Sequence, residues 1–548
     1  MSQMLKSSGA MGFATAASRV LGLVREQVYA RFMGDGPVAS AFVLAFQIPN
    51  LFRRLLGEGA LTAAFIPIFK AKERHAGEVE MWRAANAVIS GLVVVTCLVV
   101  GLLMLAISLI LALASAHYTQ AGSAVFPPYP VPILRDDTRL MLALLRVMAP
   151  YLVLVCLAAL AMGMLNARGH FFIPAMGSTS LNLVMIASVL FLAPHFGRRL
   201  DQQIFALAVG VVVAGLAQFG FQLPTLWADG FRYRWVSPWR DATVREVVRK
   251  MIPAAVGVAA FQLNVLLIQT IAFWIDRYIV ASFNYAVRLM EFPQGVVGIS
   301  LATYLLAALS GLASEKNYPG FRATLREGLG HLIFVNLIAS ALLVVLAEPI
   351  VRLLFEHGAF SASSTRRVAL ALTCLAPGLV AFSTVNVLAR SFYALGDTTT
   401  PMKISVVCLG LNLVFSLWFI GPLHLAGAGM GLANTLSSGV NVWLLLYALR
   451  RKLSRLELET LRPLLVALLG AAIVAGGVAW LVRWGWDAQV GHQRLFERLG
   501  EVFVPMAAGG LVYVLLALWL KVPQAREMGG LLLKRLRGRK GGQGEGPG

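Results

Sequence analysis

Roughly fourteen apolar stretches of about twenty residues or more follow one another along this chain, each bounded by charge, Gly or Pro, and no other feature restricts its fold so strongly. A helix of that length crosses the hydrocarbon core of a bilayer. The stretches fall near 10–34, 37–69, 84–116, 139–167, 171–195, 203–228, 247–275, 279–314, 323–355, 365–394, 400–422, 424–450, 461–484 and 496–521. The chain is 58% hydrophobic and 13% charged, with mean hydropathy +0.75, whereas soluble chains carry roughly 25% charged residues. An all-α polytopic membrane protein is the expected class. Assigning alternate loops to one side places about 29 Lys and Arg there against about 10 on the other, which predicts an even number of spans with both termini cytoplasmic. The first stretch contains Arg19 and Arg25 and no cleavage site, so it is expected to remain as the first span.

The net charge of +21 does not point to nucleic acid. Most of the excess lies in short loops beside helix ends, where the positive-inside rule requires it and membrane lipids are the nearest partners. The basic tail, with Lys534, Arg535, Arg537, Arg539 and Lys540, reads as a membrane-surface segment. Cys97, Cys156, Cys374 and Cys408 lie in apolar runs without metal-ligand spacing, so disulfides and a metal site are not expected and the four read as small packing residues.

Five arginines lie within the membrane-length segments: Arg19, Arg25, Arg53, Arg54 and Arg288. Each costs about 2.5–3.5 kcal/mol at the middle of a span, so such cations normally face a bundle interior, where they pair with acids or hold an anion. Arg19 and Arg25 are about 9 Å apart along a helix and about 120° apart around it, so a bend at Gly22 is expected if both meet one space. Pro49 offers a kink before Arg53 and Arg54, and Glu58 at i+4 from Arg54 makes Arg53 the better ligand candidate. Arg288 has Glu291 at i+3, followed by Pro293, Gly295 and Gly298, a run that loosens a helix. Glu26, Glu58 and Glu291 are the acids at hand, and three acids against five cations leave positive charge that calls for an anion such as phosphate or diphosphate.

The chain also repeats itself. Ala149-Pro150, Ala167, Gly169 and Pro174 recur at constant offset as Ala376-Pro377, Ala394, Gly396 and Pro401, and each set is followed by Leu-Asn-Leu-Val, at 181–184 and 411–414. A separation of six spans makes the repeat parallel. The expected organisation is an N-terminal lobe at 1–228, a C-terminal lobe at 229–452, two additional helices at 453–521 and a basic cytoplasmic tail at 522–548.

Ser18-Arg19-Val20-Leu21-Gly22, Arg25, Phe46 to Arg54, Glu58-Gly59-Ala60 and Ala64 to Pro67 resemble the MurJ (MviN) lipid II flippases of bacteria, as do Tyr285, Ala286, Arg288 to Pro293 and Gly295. The resemblance runs over nearly the whole chain. It implies the multidrug/oligosaccharidyl-lipid/polysaccharide exporter fold, alternating access, a cationic central cavity for a diphosphate-sugar headgroup, and a bacterial inner-membrane location. It carries the substrate-binding role to Arg19, Arg25, Arg53 and Arg288 with Glu58 beside them, leaving Arg54, Glu26 and Glu291 as secondary candidates. Lipid II is the implied substrate, the last two helices the implied groove for its polyprenyl tail, and cell-wall synthesis proteins are candidate partners. Two positions depart from the pattern: Ser40 and Val287 stand where some members carry acids, which puts in doubt any coupling that titrates them.

No Walker A, H-E-x-x-H or G-x-S-x-G signature is present, so an enzyme is not expected. No cofactor is expected either. Membrane potential, about 2.3 kcal/mol per charge per 100 mV, or an ion gradient suffices as drive. Export of cationic drugs is disfavoured by the positive interior, whereas another polyprenyl-diphosphate glycan is the alternative cargo that charge does not exclude.

Overall fold

The computed structural model describes residues 2–55, 60–121, 134–453, 456, 459 and 461–527. No strand occurs among them. The chain divides into two compact units, one of residues 1–281 with 357–361, the other of 282–356 with 362–548.

The first unit holds α1 (Ser2–Met33), α2 (Pro37–Phe52), α3 (Ala60–Ala121), α4 (Asp136–Met148), α5 (Tyr151–Ala167), α6 (Phe172–Ala187), α7 (Leu200–Gly220), α8 (Leu223–Ala228), α9 (Ala242–Ile275) and the start of α10 (Ile279–Pro293). The second holds the rest of α10 with α11 (Ile299–Ser314), α12 (Tyr318–Val345), α13 (Ala347–Phe355), α14 (Ala362–Leu375), α15 (Gly378–Ala394), α16 (Thr399–Ile420), α17 (Ala426–Leu453), α18 (Leu461–Gln489) and α19 (Leu495–Trp519). These compact units and the repeat halves are different divisions of the chain. The seventh span, α9, packs against α2 and α3 and so belongs with the first six.

Helices that face lipid must be apolar outside as well as inside. On α3, Leu98, Leu102, Leu105, Leu109 and Leu113 form an exposed stripe at helical spacing; a face of that extent is expected against acyl chains rather than water. Cys97 is exposed on the same helix, so it is not a packing residue, whereas Cys156 and Cys408 are buried and all four cysteines are free thiols.

Each of the fourteen apolar segments is mainly helical over its described residues, several of them broken by a turn, but they do not pass equally as spans. Among the described residues eight helices are long and apolar enough to cross a membrane, and the bent pairs α4–α5 and α14–α15 raise the number to ten. The four sequence segments outside this set are the first, second, seventh and eighth. For α9 and α11 the described apolar pieces are Phe261–Ile275 and Leu301–Ser314. Charge and amide groups in these helices are compatible with a span only where protein or ligand satisfies them.

The repeat is visible as local geometry. The chain bends by 47° where Ala149-Pro150 separates α4 from α5, and by 46° where Ala376-Pro377 separates α14 from α15. Proline has no N–H to continue the helical ladder, so the break falls at the same place in both copies. Both copies then end in a left-handed glycine, Gly169 at φ 91° and Gly396 at φ 74°. The following N–H closes the helix onto a carbonyl five residues back: His170 N to Leu165 O at 2.9 Å, and Asp397 N to Phe392 O at 2.9 Å. These turns also carry equivalent side-chain ties of opposite polarity. His170 Nε2 lies 3.1 Å from Asp229, and Asp397 accepts from Lys452 Nζ at 2.7 Å, which with the Thr400 N–H holds the Asp397 carboxyl well below the usual carboxylate range.

In the second unit α18 and α19 are docked rather than appended. Tyr513 donates to the Phe334 carbonyl at 2.7 Å with the two rings 5.3 Å apart, and Leu468, Ala472, Ala475 and Ala517 share one core with Leu325, Leu329 and Leu332 of α12. An ionic network closes one end. Glu501 is 1% exposed and accepts from Arg352 Nη1 at 2.8 Å, while Arg483 reaches Glu348 at 2.9 Å and Arg352 also binds Glu348 at 2.8 Å.

Candidate functional site

Arg25 is the most completely built of the intramembrane cations. Its Nη2 lies 2.5 Å from Glu26 Oε1, its Nη1 donates to Asn182 Oδ1 of α6 at 3.1 Å, and its guanidinium lies 5.4 Å from the centroid of the Tyr29 ring. Among the described residues two of its five N–H groups, one on Nη1 and one on Nη2, have an acceptor, and the buried Nε has none. Tyr29 continues into an aromatic row, Phe42, Phe46 and Tyr151, with successive centroids 6.0, 6.1 and 6.0 Å apart, so α1, α2 and α5 meet around the arginine.

Arg19 is exposed and makes no ion pair among the described residues. Arg19, Gly22 and Arg25 lie on one helix, α1, and a Cβ at Gly22 would sit 3.7 Å from Asn182 Nδ2, an ordinary contact distance.

Pro49 lies inside α2, and the α-helix stops at Phe52 in a π turn at 53–55 that carries both Arg53 and Arg54. Such turns offset the helical ladder and recur at functional sites. Arg53 is partly buried and, like Arg25, lies within electrostatic reach of α5, Arg53 at Cys156 and Arg25 at Tyr151. Arg54 is exposed and its Nη1 meets Gln262 Oε1 of α9 at 3.4 Å, a long hydrogen bond. Its expected partner Glu58 lies outside the described residues. Gln47 donates to Gln269, one further tie from α2 to α9. Gln262 and Gln269 are seven residues apart, so they share one face of α9.

In the second unit Arg288 pairs with Glu291 as the i+3 spacing predicts, at 2.9 Å, with both side chains nearly half exposed. The loosened run after Pro293 is a π segment at Gln294–Gly298. Ser40 is buried and its Oγ accepts from the Ala281 N–H at 3.2 Å, so the hydroxyl supplies an acceptor although it brings no charge. Val287 is half-buried and neutral.

Asn182, Gln47, Gln262 and Gln269 were not singled out by sequence reasoning, and neither was the Glu501 network. An amide inside an apolar run is a signal in itself, since it needs partners there. The motif Leu-Asn-Leu-Val held that signal for Asn182. Two groups of carboxylates and histidine, Glu327, His331 and Glu527, and Asp487, His492 and Glu501, bring ligand atoms within 4.8 Å of one another. In the second, Glu501 is already held by Arg352 and faces Arg483, which disfavours a cation.

Helices with exposed apolar faces, paired proline bends and a π turn bearing Arg53 and Arg54 fit a polytopic membrane transporter. The fold agrees: a solved structure described as lipid II flippase MurJ in an inward closed conformation superposes with TM-score 0.74 at 21% identity, covering 93% of this chain and 98% of its own. An inward-facing multidrug transporter of the MATE family gives 0.62 at 13% identity, covering 81% and 96%. The family model for lipid II flippase MurJ matches residues 29–499, and the chain belongs to that family. A probable lipid II flippase MurJ of Vibrio cholerae serotype O1 is 31% identical over 534 residues, 95% of this chain and 97% of that protein. The lipid II flippase MurJ of Burkholderia cenocepacia is 35% identical over 472 residues, 85% and 87%.

Proposed function

We propose that this chain moves lipid II, the polyprenyl-diphosphate-linked peptidoglycan precursor, from the inner to the outer leaflet of the bacterial inner membrane by alternating access. Family membership supports the cargo, and one geometric observation supports the chemistry: Arg25 is held among the helices of the first unit with N–H donors that have no acceptor among the described residues. A diphosphate supplies oxygens in the planar, paired arrangement that guanidinium recognises. Arg19, Arg53 and Arg288 are proposed as its other ligands with Glu58 beside them, and Arg54, Glu26 and Glu291 as groups that tune them. Glu26 pairs with Arg25 and offsets its charge. The reset of a cation-bearing protein across an energised membrane needs no cofactor, at about 2.3 kcal/mol per charge per 100 mV. Another polyprenyl-diphosphate glycan shares this chemistry, and family membership favours lipid II over it.

Complementation of a bacterium depleted of its own lipid II flippase tests the reading. The wild-type chain is expected to restore growth and Arg53→Ala to abolish rescue at normal expression. Arg54→Ala removes a secondary candidate that meets Gln262 through a long hydrogen bond, and it is expected to lower expression more than it lowers rescue. Failure of the wild-type chain where an O-antigen flippase defect is rescued would transfer the function to the alternative cargo.

Both termini are proposed to be cytoplasmic. Cysteine labelling in a variant lacking the native thiols should then reach 120–130 and 485–495 from outside but not 235–245. The reverse pattern would invert the transport direction assigned here.

A further inference from the structure

We propose that Asn182 is the positioning residue for Arg25, holding its guanidinium so that the remaining N–H groups meet the anionic headgroup; the inference rests on the site reading above. Asn182 is 6% exposed and uses both ends of its amide. Nδ2 donates to the Ser18 carbonyl of α1 at 3.1 Å and Oδ1 accepts from Arg25 Nη1 at 3.1 Å. The carbonyl accepts only from N–H, so Ser18 fixes which end of the amide is nitrogen and leaves oxygen for the arginine.

Gly22 lies beside this contact, with the Asn182 amide 3.7 Å from where a Cβ would stand, an ordinary contact distance.

Charge explains why the residue is an amide. Glu26 already compensates Arg25 once. An aspartate at 182 would orient the guanidinium equally well but would leave the pair negative, whereas asparagine accepts a hydrogen bond without adding charge. Two acceptors on separate helices, Glu26 and Asn182, fix the plane of the fork; Glu26 alone would leave it free to turn. The other copy of Leu-Asn-Leu-Val shows that the role is local. Asn412, equally buried, donates to Ser437 Oγ at 3.4 Å and holds no arginine. The same motif thus serves as a neutral interhelical tie in one half and as an arginine support in the other.

The test measures lipid II affinity and melting temperature of the purified full chain for wild type, Arg25→Ala, Asn182→Leu, Asn182→Asp and the double variant Arg25→Ala/Asn182→Leu. Asn182→Leu is expected to weaken binding about tenfold, the size of one charge-assisted hydrogen bond. Asn182→Asp should weaken it further. In the Arg25→Ala background, Asn182→Leu should weaken binding no further, because its effect passes through the arginine. An equal loss in both backgrounds, or no loss in either, overturns the positioning role, whatever happens to the melting temperature. Wild-type affinity in Arg25→Ala would instead overturn the site reading, and this inference with it.

Discussion

Arg288→Glu should reduce lipid II accessibility at the outer leaflet to the level of flippase-depleted cells, while Arg288→Lys keeps a measurable fraction and Arg288→Ala almost none. Arg288 is nearly half exposed on α10 and its one described acid partner on the same helix is Glu291, at 2.9 Å. Reversal changes the local charge by two units and sets two carboxylates at i and i+3, so the anion loses an attraction and gains a repulsion. At an effective dielectric of about 20 each such term is about 4 kcal/mol at 4 Å, more than enough to exhaust a micromolar affinity. Lysine keeps the charge but loses the paired donors of the guanidinium fork. The comparison is made at matched expression in cells probed for exposed lipid II. Full accessibility with Arg288→Glu would remove this residue from the substrate path.

Glu501→Leu is expected to be the most damaging single change to stability in the second unit. The carboxylate is 1% exposed and bonded to Arg352, with Arg483 at 3.8 Å, so leucine leaves two arginines side by side with Glu348 as their shared partner. Breaking a buried pair from one side typically costs about 3–5 kcal/mol, because the remaining charge keeps its desolvation cost without its partner. Replacing both ends, Arg352→Met with Glu501→Leu, should recover much of the loss. Melting of the detergent-solubilised protein followed by size-exclusion chromatography reads both effects. A single variant that melts like wild type would show that the network does not hold α18 and α19 on α13.

Much of this architecture is legible in the order of residues alone. Apolar length marks the helices, since a span needs about twenty such residues regardless of what it packs against. The recurring Ala-Pro and Gly mark the bends and turns of the repeat, because a missing N–H and a left-handed φ are local constraints that travel with the residue. Arg288 with Glu291 is equally local, being three residues apart on one helix.

Partners far apart in sequence are another matter. Arg25 finds Asn182 at a separation of 157 residues, Arg54 finds Gln262 at 208, and Arg352 finds Glu501 at 149. Counting arginines against nearby acids therefore finds local ion pairs but not the neutral amides on other helices that accept hydrogen bonds from Arg25 and Arg54. What the sequence by itself determined is which residues are helical, apolar and charged, because those are properties of short segments. What only the tertiary structure decided is which donor meets which acceptor, because that depends on how helices with no sequence proximity are packed together.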